Sequence, residues 1–414
     1  MNQNVFEKYI IPWSGALWFL VAIDSFFLWW NFSIVIRAIS LLGILLSSMK
    51  LSNRFHANAR KVAVLLSLLL YVFWLFSFFS NKVLIVIKAV DFAGFFLLLF
   101  WPKDELEKTY LLLRKIIIFF AIGSSVISVL SFAGVLHYLP HFTFEGRSTL
   151  HQSKGISYYV YGAFVTLHSK AGIVSARTCG PLQEPGHWAI ILGFFYLIEW
   201  FTLKKRNFWI ILCGVLTFSS GFLLIFLFVE CMNMFSSMAL KKSIYLILII
   251  IGFSLTYLIL PQNIRRDVRT LFFERNLEKV YENYDETGSI QKALDARAGD
   301  YSLSKYHNLK SYDFLFGYGY RDTTDALSDY RGTILFIGLI GLILSIIPSV
   351  LIIRRARWRL LLSLLLSLIL VYLHRGWMFY APYIYFLSFL AITLGSDSKT
   401  GMHNQSIRKI AVDN

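Results

Sequence analysis

Residues 332–353 read GTILFIGLIGLILSIIPSVLII, without one charged side chain. A helix that crosses a bilayer needs about 20 mostly apolar residues, because the hydrocarbon layer is about 30 Å thick. This stretch meets that length, and 62–80, 115–136 and 243–260 meet or nearly meet it. Such runs are too long for the core helices of a water-soluble domain. The composition agrees: 57% of the 414 residues are hydrophobic and only 15% charged, against roughly half and a quarter in soluble domains. Backbone in lipid must satisfy its own polar groups, so these runs are read as membrane helices.

Outward from 332–353, the same reading gives spans at 11–31, 33–49, 62–80, 83–101, 115–136, 188–203, 207–219, 221–239, 243–260, 332–353, 359–374 and 377–394. The expectation is an all-α polytopic membrane protein of about 12 spans, forming a single membrane domain over 1–414. The segment 207–219 is short: ~13 residues at 1.5 Å rise reach only ~20 Å, so it is either tilted or half of a broken helix. Met1 to Ile10 lead straight into the first span, which reads as a retained signal-anchor.

Basic residues fall in alternate connectors: Lys50, Arg54, Arg60 and Lys61; Lys103, Lys108, Arg114 and Lys115; Lys204, Lys205 and Arg206; Lys241 and Lys242; Arg354, Arg355, Arg357 and Arg359. The short connectors on the other side hold only Lys82 and Arg375. The positive-inside rule then places the basic connectors and both termini in the cytoplasm, and the tail, with Lys399, Arg408 and Lys409, agrees. That distribution also removes the nucleic-acid partner that a net charge of +16 would suggest. Cys179, Cys213 and Cys231 make no disulfide framework.

Two long segments, 137–187 and 261–331, fall outside the membrane. Loops beyond ~15 residues in a compact protein are usually functional or disordered, and these two, rich in Tyr, Phe, His and mixed charge, are expected to be ordered. Residues 264–284 space Ile264, Val268, Leu271, Phe272, Val280 and Tyr284 roughly as a helix would, with Arg265, Arg266, Arg269, Arg275 and Lys279 on other faces. Such a helix either lies in the headgroup plane or packs, solvated, on the bundle. Within the spans, Asp24 and Arg37 fall at similar depth across a tight hairpin and can pair. Lys88 and Asp91 share a helix face. Glu230 has no partner visible in sequence. Charges in such places either fix helix packing or serve a site near a charged headgroup.

The first loop closes with Ala176-Arg177-Thr178-Cys179-Gly180-Pro181-Leu182-Gln183-Glu184-Pro185-Gly186-His187-Trp188-Ala189. This is a Gly/Pro-punctuated turn leading into a span, with Arg177, Glu184 and His187 at the outer interface. The planar fork of an arginine suits phosphate. Glu184 and His187 can act as acid or base, or can cap the helix that follows.

On these residues the chain resembles the Wzy-type O-antigen and exopolysaccharide polymerases. In that family an Arg, a Gly three residues on and a nearby Glu-Pro pair precede a span, as Arg177, Gly180, Glu184 and Pro185 do here. Thr217-Phe218-Ser219-Ser220-Gly221 is similar to the family's Thr/Ser-Gly turn between two close helices. Phe316-Gly317-Tyr318-Gly319-Tyr320 is similar to its Gly-x-Gly stretch, with Arg297 upstream, and Gly338 and Gly341 fit its small-residue pattern. The turn lacks the arginine often found there. Where related O-antigen ligases carry a His before the next helix, this chain has Ser328-Asp329-Tyr330, which favours a polymerase over a ligase.

The resemblance implies a GT-C-like arrangement in the bacterial cytoplasmic (inner) membrane. It implies transfer, on the outer face, of a growing glycan from undecaprenyl pyrophosphate to the next undecaprenyl-pyrophosphate-linked oligosaccharide. The substrates and the lipid bilayer are then the partners, with room for a chain-length regulator protein. Arg177 and Arg297 lead the candidates for neutralising pyrophosphate, followed by Arg147, Arg265, Arg266 and Arg375. Glu184, His187, His307 or Asp295 would be the general base. Tyr158, Tyr159, Tyr161, Tyr318 and Tyr320 are either sugar-stacking walls or ordinary interfacial aromatics. Neither external loop holds an Asp-x-Asp or a zinc-like His/Cys cluster, so a metal-independent transfer without cofactor is expected. The Gly-x-Gly stretch follows no strand of a βαβ unit and is no nucleotide fingerprint. The two loops are expected to act as opposite walls of one site. The alternatives are an O-antigen ligase, or a lipid-linked oligosaccharide flippase or other transporter.

Overall fold

The structure is a computed structural model that describes residues 6–25, 33–55, 57–79, 82–145, 157–168, 177–234, 262, 265, 266, 269, 300–319, 330–354 and 356–395. It is mostly helical. A π-helical turn at Phe6–Ile10 leads into α1 (Ile11–Ala22), followed by α2 (Ser33–Leu51), α3 (Ala59–Phe78), α4 (Lys82–Leu98) and α5 (Lys103–Phe132). Four strands come next: β1 (Phe142–Glu145), β2 (Ser157–Tyr161), β3 (Phe164–His168) and β4 (Arg177–Gly180). Then come α6 (Pro185–Leu203), α7 (Phe208–Leu216), α8 (Ser220–Met234), α9 (Asp300–His307), α10 (Ser311–Phe316), α11 (Tyr330–Ile353), α12 (Trp358–Arg375) and α13 (Tyr383–Gly395).

Among the described residues five helices are long and apolar enough to cross a membrane: Ile34–Arg54, Ala59–Phe78, Lys103–Phe132, Pro185–Leu203 and Tyr330–Ile353. Ser220–Asn233, Trp358–Leu373 and Tyr383–Gly395 are shorter apolar helices. That is the make-up of a helical membrane protein. Local signals set several starts. Asn58 caps α3 by accepting from the Lys61 amide at 2.9 Å, and Asn207 caps α7 through the amides of Trp209 and Ile210.

Some boundaries differ from the sequence reading. α5 starts at Lys103 rather than near 115, because Asp104 and Glu105 suit a first turn and Leu106, Tyr110 and Leu113 bury a helical stripe. α1 stops at Ala22, and Asp24 takes φ 53°. Helical structure resumes at Gly376–Tyr380 as a 3-10 turn before α13. α7 has 9 residues, about 14 Å of helix, too short to cross. The span expected at 243–260, most of the segment 264–284, and Arg147, Asp295, Arg297 and Tyr320 lie outside the described residues.

The all-α expectation is corrected at the first long loop, which contains a four-stranded antiparallel sheet in the order β1-β2-β3-β4. Its centre is a hairpin in which Tyr161 pairs with Phe164 across Gly162 and Ala163. Gly162 takes φ 62°, and the favoured two-residue hairpin turns require such a positive φ at the first position. The flanking Tyr158-Tyr159-Val160-Tyr161 and Phe164-Val165-Thr166 are aromatic and β-branched residues that fit a pleated sheet.

The chain divides into two compact units: Met1–Ile117 with Ile198–Lys205 and Gly299–Asn414, and Ile118–Leu197 with Arg206–Ala298. In the first, Arg37 is 3% exposed and bridges Asp24 and Asp91, the latter fully buried. Lys88 stands 3.9 Å from Asp24. The expected Asp24–Arg37 pair is present, and Arg37 rather than Lys88 makes the ion pair to Asp91. The Trp18 indole donates to the Asp91 carbonyl at 3.0 Å, and its ring fills the space over Gly94. Removing one partner of a buried ion pair is far more damaging than the pair's net contribution suggests, so this knot ties α1, α2 and α4 together.

α11 is broken. Gly338 takes φ 70° and ψ 178° in the middle of it, which leaves the preceding carbonyls without helical partners. Three donors supply them. The Tyr318 amide bonds the Leu335 carbonyl at 2.7 Å and the Gly319 amide that of Phe336 at 3.0 Å. The Trp74 indole bonds that of Ile337 at 2.9 Å. Two glycines make the approach possible: a Cβ on Gly338 would lie 2.2 Å from the Leu315 carbonyl oxygen, and one on Gly317 2.6 Å from the Gly338 nitrogen. Gly134 offers a control, with φ 72° but open space around it. Gly134→Ala should lose only the cost of a left-handed residue, about 1–3 kcal/mol. Gly338→Ala should lose more, to the point of failing to yield a folded protein, as measured by thermal unfolding in detergent.

Candidate functional site

The second unit gathers the Arg177–His187 stretch and the Thr217–Gly221 turn at one place. α7 ends at Thr217, Phe218 follows with φ 49°, and the Ser219 hydroxyl accepts from the Gly221 amide at 3.3 Å to open α8. A helix end leaves its last carbonyls without partners. Arg177, on β4 and buried, meets that need. Its Nε and Nη2 donate to the Thr217 carbonyl at 3.3 and 3.1 Å, and Nη2 donates to that of Phe218 at 3.2 Å. The planar fork matches two successive carbonyls as it would an oxyanion.

β4 then passes through Cys179 and Gly180 into the turn that starts α6. Gly180 takes φ 60°, and a Cβ on it would lie 2.4 Å from the Trp188 ring. The Arg-x-x-Gly spacing is therefore a packing requirement in this chain. The Trp188 indole donates to Cys213 Sγ at 3.3 Å and binds α6 to α7. Gly214 lies under the Phe222 ring, and Gly193 under Ile225. The Glu184 carbonyl accepts from the amides of His187 and Trp188, both at 3.1 Å, with Pro185 in the first helical position. Glu184 is half-buried and His187 is buried.

Burial pushes the Cys179 thiol well above its usual range, with Arg177 pulling it down and Glu184 pushing it up. Burial also raises the Tyr158 hydroxyl, with further contributions from Cys179 and Glu184. Arg177, Glu184, Cys179 and Tyr158 thus feel one another across a small polar centre. Cys179 stays a neutral thiol at physiological pH and is no nucleophile. On the sheet's other face, the His141 ring lies 4.9 Å from that of Tyr159 and 5.3 Å from that of Tyr161.

Of the other described candidates, Arg265 and Arg266 share a unit with this cluster, and His307 and Arg375 do not. Arg265 and Arg266 belong to the second unit, half-buried and exposed respectively, in helical conformation. His307 and Arg375 belong to the first unit. His307, the exposed last residue of α9, borders an open pocket of about 490 Å³ with Tyr306, Ser311 and Phe314. Arg375 ends α12. Among the described residues no group of three or more His, Cys, Asp or Glu side chains could hold a metal ion.

Two features escaped the sequence reading. Glu230 is held by Arg206, with Nε–Oε1 at 3.1 Å and Nη2–Oε2 at 2.5 Å, and by the Tyr196 hydroxyl. Arg206 had been counted only as a connector charge. Arg331, at the start of α11, is buried and was not singled out. A bulky cation directly before an apolar run was the available signal. Comparison with protein-family models, curated proteins and solved structures finds no match for this chain.

Lysine binds as a compact point charge and lacks the planar fork that meets the Thr217 and Phe218 carbonyls here. Arg177→Lys should therefore lower stability by about 1.5–3 kcal/mol, the range for hydrogen bonds to a charged group. The shift in melting temperature of the purified protein checks this, and an unchanged melting temperature would contradict the capping role.

Proposed function

We propose that the protein is a membrane glycosyltransferase that joins lipid-linked oligosaccharide repeat units, in the manner of the O-antigen and exopolysaccharide polymerases its motifs resemble. One observation carries the reading: two of the resembling stretches, 177–187 and 217–221, are far apart in sequence and meet through the Arg177 guanidinium. A third, Gly317–Gly319, closes the break at Gly338, itself part of the same pattern.

In this proposal about twelve spans connect residues 137–187 and 261–331 on the outer side of the cytoplasmic membrane, with both termini on the inner side. Glu184, aided by His187, orients or deprotonates the acceptor sugar hydroxyl. The C–O bond from the anomeric carbon to pyrophosphate breaks as the new glycosidic bond forms, and the carrier leaves as undecaprenyl pyrophosphate. Positive charge from Arg177 stabilises the departing anion, and Arg265 and Arg266 add cationic charge to the same unit. Arg177 has a second duty, because it also fixes the turn between α7 and α8.

A second reading, a lipid-linked oligosaccharide transporter, is favoured by a specific observation. Discontinuous helices mark substrate sites in many transporters, and both the break at Gly338 and the short α7 with its turn at Thr217–Ser219 are of that kind.

A deletion strain separates the readings. The polymerase proposal expects surface glycan carrying one repeat unit, restored to long chains by the wild-type protein but not by Glu184→Gln at equal membrane levels. Repeat units trapped on the cytoplasmic side would favour the transporter. Long polymer accumulating on its carrier would favour a ligase. Normal long chains on the deletion strain's surface would sink the polymerase proposal.

A further inference from the structure

The β2–β3 hairpin runs down the side of α5. Tyr161 forms a buried cluster with Ile127 and Leu136, against which Tyr159, Leu130, Leu139 and Phe164 pack. At the turn, the Phe164 ring lies 5.6 Å from that of Phe119 and 6.0 Å from that of Phe120. It fills the space over Gly123, where a Cβ would stand 2.1 Å from it. At 1.5 Å per residue, Gly123 is about 14 Å and Phe119 about 20 Å from the end of α5 at Phe132. Lys115, the last charged residue of the helix, is only about 6 Å beyond Phe119. The hairpin turn therefore reaches the middle of the apolar part of a helix long enough to cross a membrane.

That depth is hostile to a turn. Lipid-exposed irregular backbone does not occur in the hydrocarbon layer, and is tolerated there only within protein or beside water. Gly162 is exposed at the tip, with nothing within 4 Å of where its Cβ would be. A second observation lies on α5 at the same level. Ser128 is almost fully buried and its hydroxyl has no hydrogen-bond partner among the described residues, while the buried Ser124 hydroxyl faces the Cys213 thiol. β4 descends beside β3, with Thr166 opposite Thr178 and Val165 opposite Gly180, so the strand that leads to Glu184 and His187 goes down with the hairpin. Val126 and Val129, by contrast, are about half exposed on α5 and offer lipid an ordinary apolar face.

We propose that the β2–β3 hairpin is re-entrant, and that a water-filled vestibule, open on the side of residues 135–143, follows it down to the start of α6. In the glycosyl-transfer reading, on which this last assignment rests, the vestibule is where the polar head of the lipid-linked sugar reaches Glu184. Water access itself depends only on α5 crossing the membrane.

Single cysteines placed in a Cys231→Ser background test this, since Cys179 and Cys213 are buried. A charged, membrane-impermeant methanethiosulfonate is applied to intact cells, and remaining free thiol is counted after denaturation. Tyr138→Cys, on a 77% exposed position beyond α5, reports which side the reagent reaches. Val129→Cys reports lipid. The vestibule predicts loss of free thiol at Ala163→Cys from the same side as Tyr138→Cys, while Val129→Cys keeps its thiol. An Ala163→Cys thiol that resists the charged reagent yet reacts with lipid-soluble N-ethylmaleimide overturns the proposal. Reaction of Val129→Cys would remove the membrane reading of α5, and the vestibule with it. Leu167→Cys, further along β3, gives the same readout where Ala163→Cys does not accumulate. If Ala163→Cys reacts but Glu184→Gln supports full polymer, the vestibule stands and the transfer reading falls.

Discussion

Backbone that leaves the helix inside an apolar layer must find hydrogen bonds from elsewhere in the protein, and among the described residues α11 is interrupted at Gly338 and α7 stops short at Leu216. At Gly338 the donors are the Tyr318 and Gly319 amides and the Trp74 indole. After α7 the donor is the Arg177 guanidinium, and Thr217 adds its own hydroxyl to the Gly214 carbonyl at 2.6 Å. In each case a segment from a long loop comes in to complete a helix, and at Gly338 two glycines clear its path. The loops are therefore structural parts of the helical frame, whatever chemistry they also carry.

The buried charges follow the same logic. Arg37 with Asp24 and Asp91, and Arg114 with Glu199 at 2.6 Å, brace the first unit. Arg206 with Glu230 braces the second. Each joins elements well separated in the chain, so each fixes packing as well as balancing charge. Arg177 also reaches backbone, donating to the Thr217 and Phe218 carbonyls.

Much of the helical frame was legible in the sequence, because an apolar run of spanning length admits few other structures. The Asp24–Arg37 pair was legible too, since depth along a hairpin can be counted. The partner of Asp91 was not, because it needs a third helix brought alongside, and neither was Arg206, which sits in a connector remote from Glu230. The sheet carried a signal that the sequence reading passed over: two aromatic and β-branched runs separated by Gly162-Ala163. Reading 137–187 as loop material on grounds of length hid it. Within the site, Arg177, Gly180 and Glu184 were picked out, but not that Arg177 would meet the Thr217–Gly221 turn. That contact is tertiary and leaves no local pattern.

The structure brings β4, the start of α6 and the α7–α8 turn to one polar centre, and the proposed glycosyl transfer gives that centre a purpose. The most direct measurement uses the purified protein in lipid nanodiscs with an undecaprenyl-pyrophosphate-linked oligosaccharide as sole substrate. The account predicts a ladder of products differing by one repeat unit, with one carrier pyrophosphate released for each bond formed. A substrate unchanged in mass, with protein that still melts cooperatively, would contradict it.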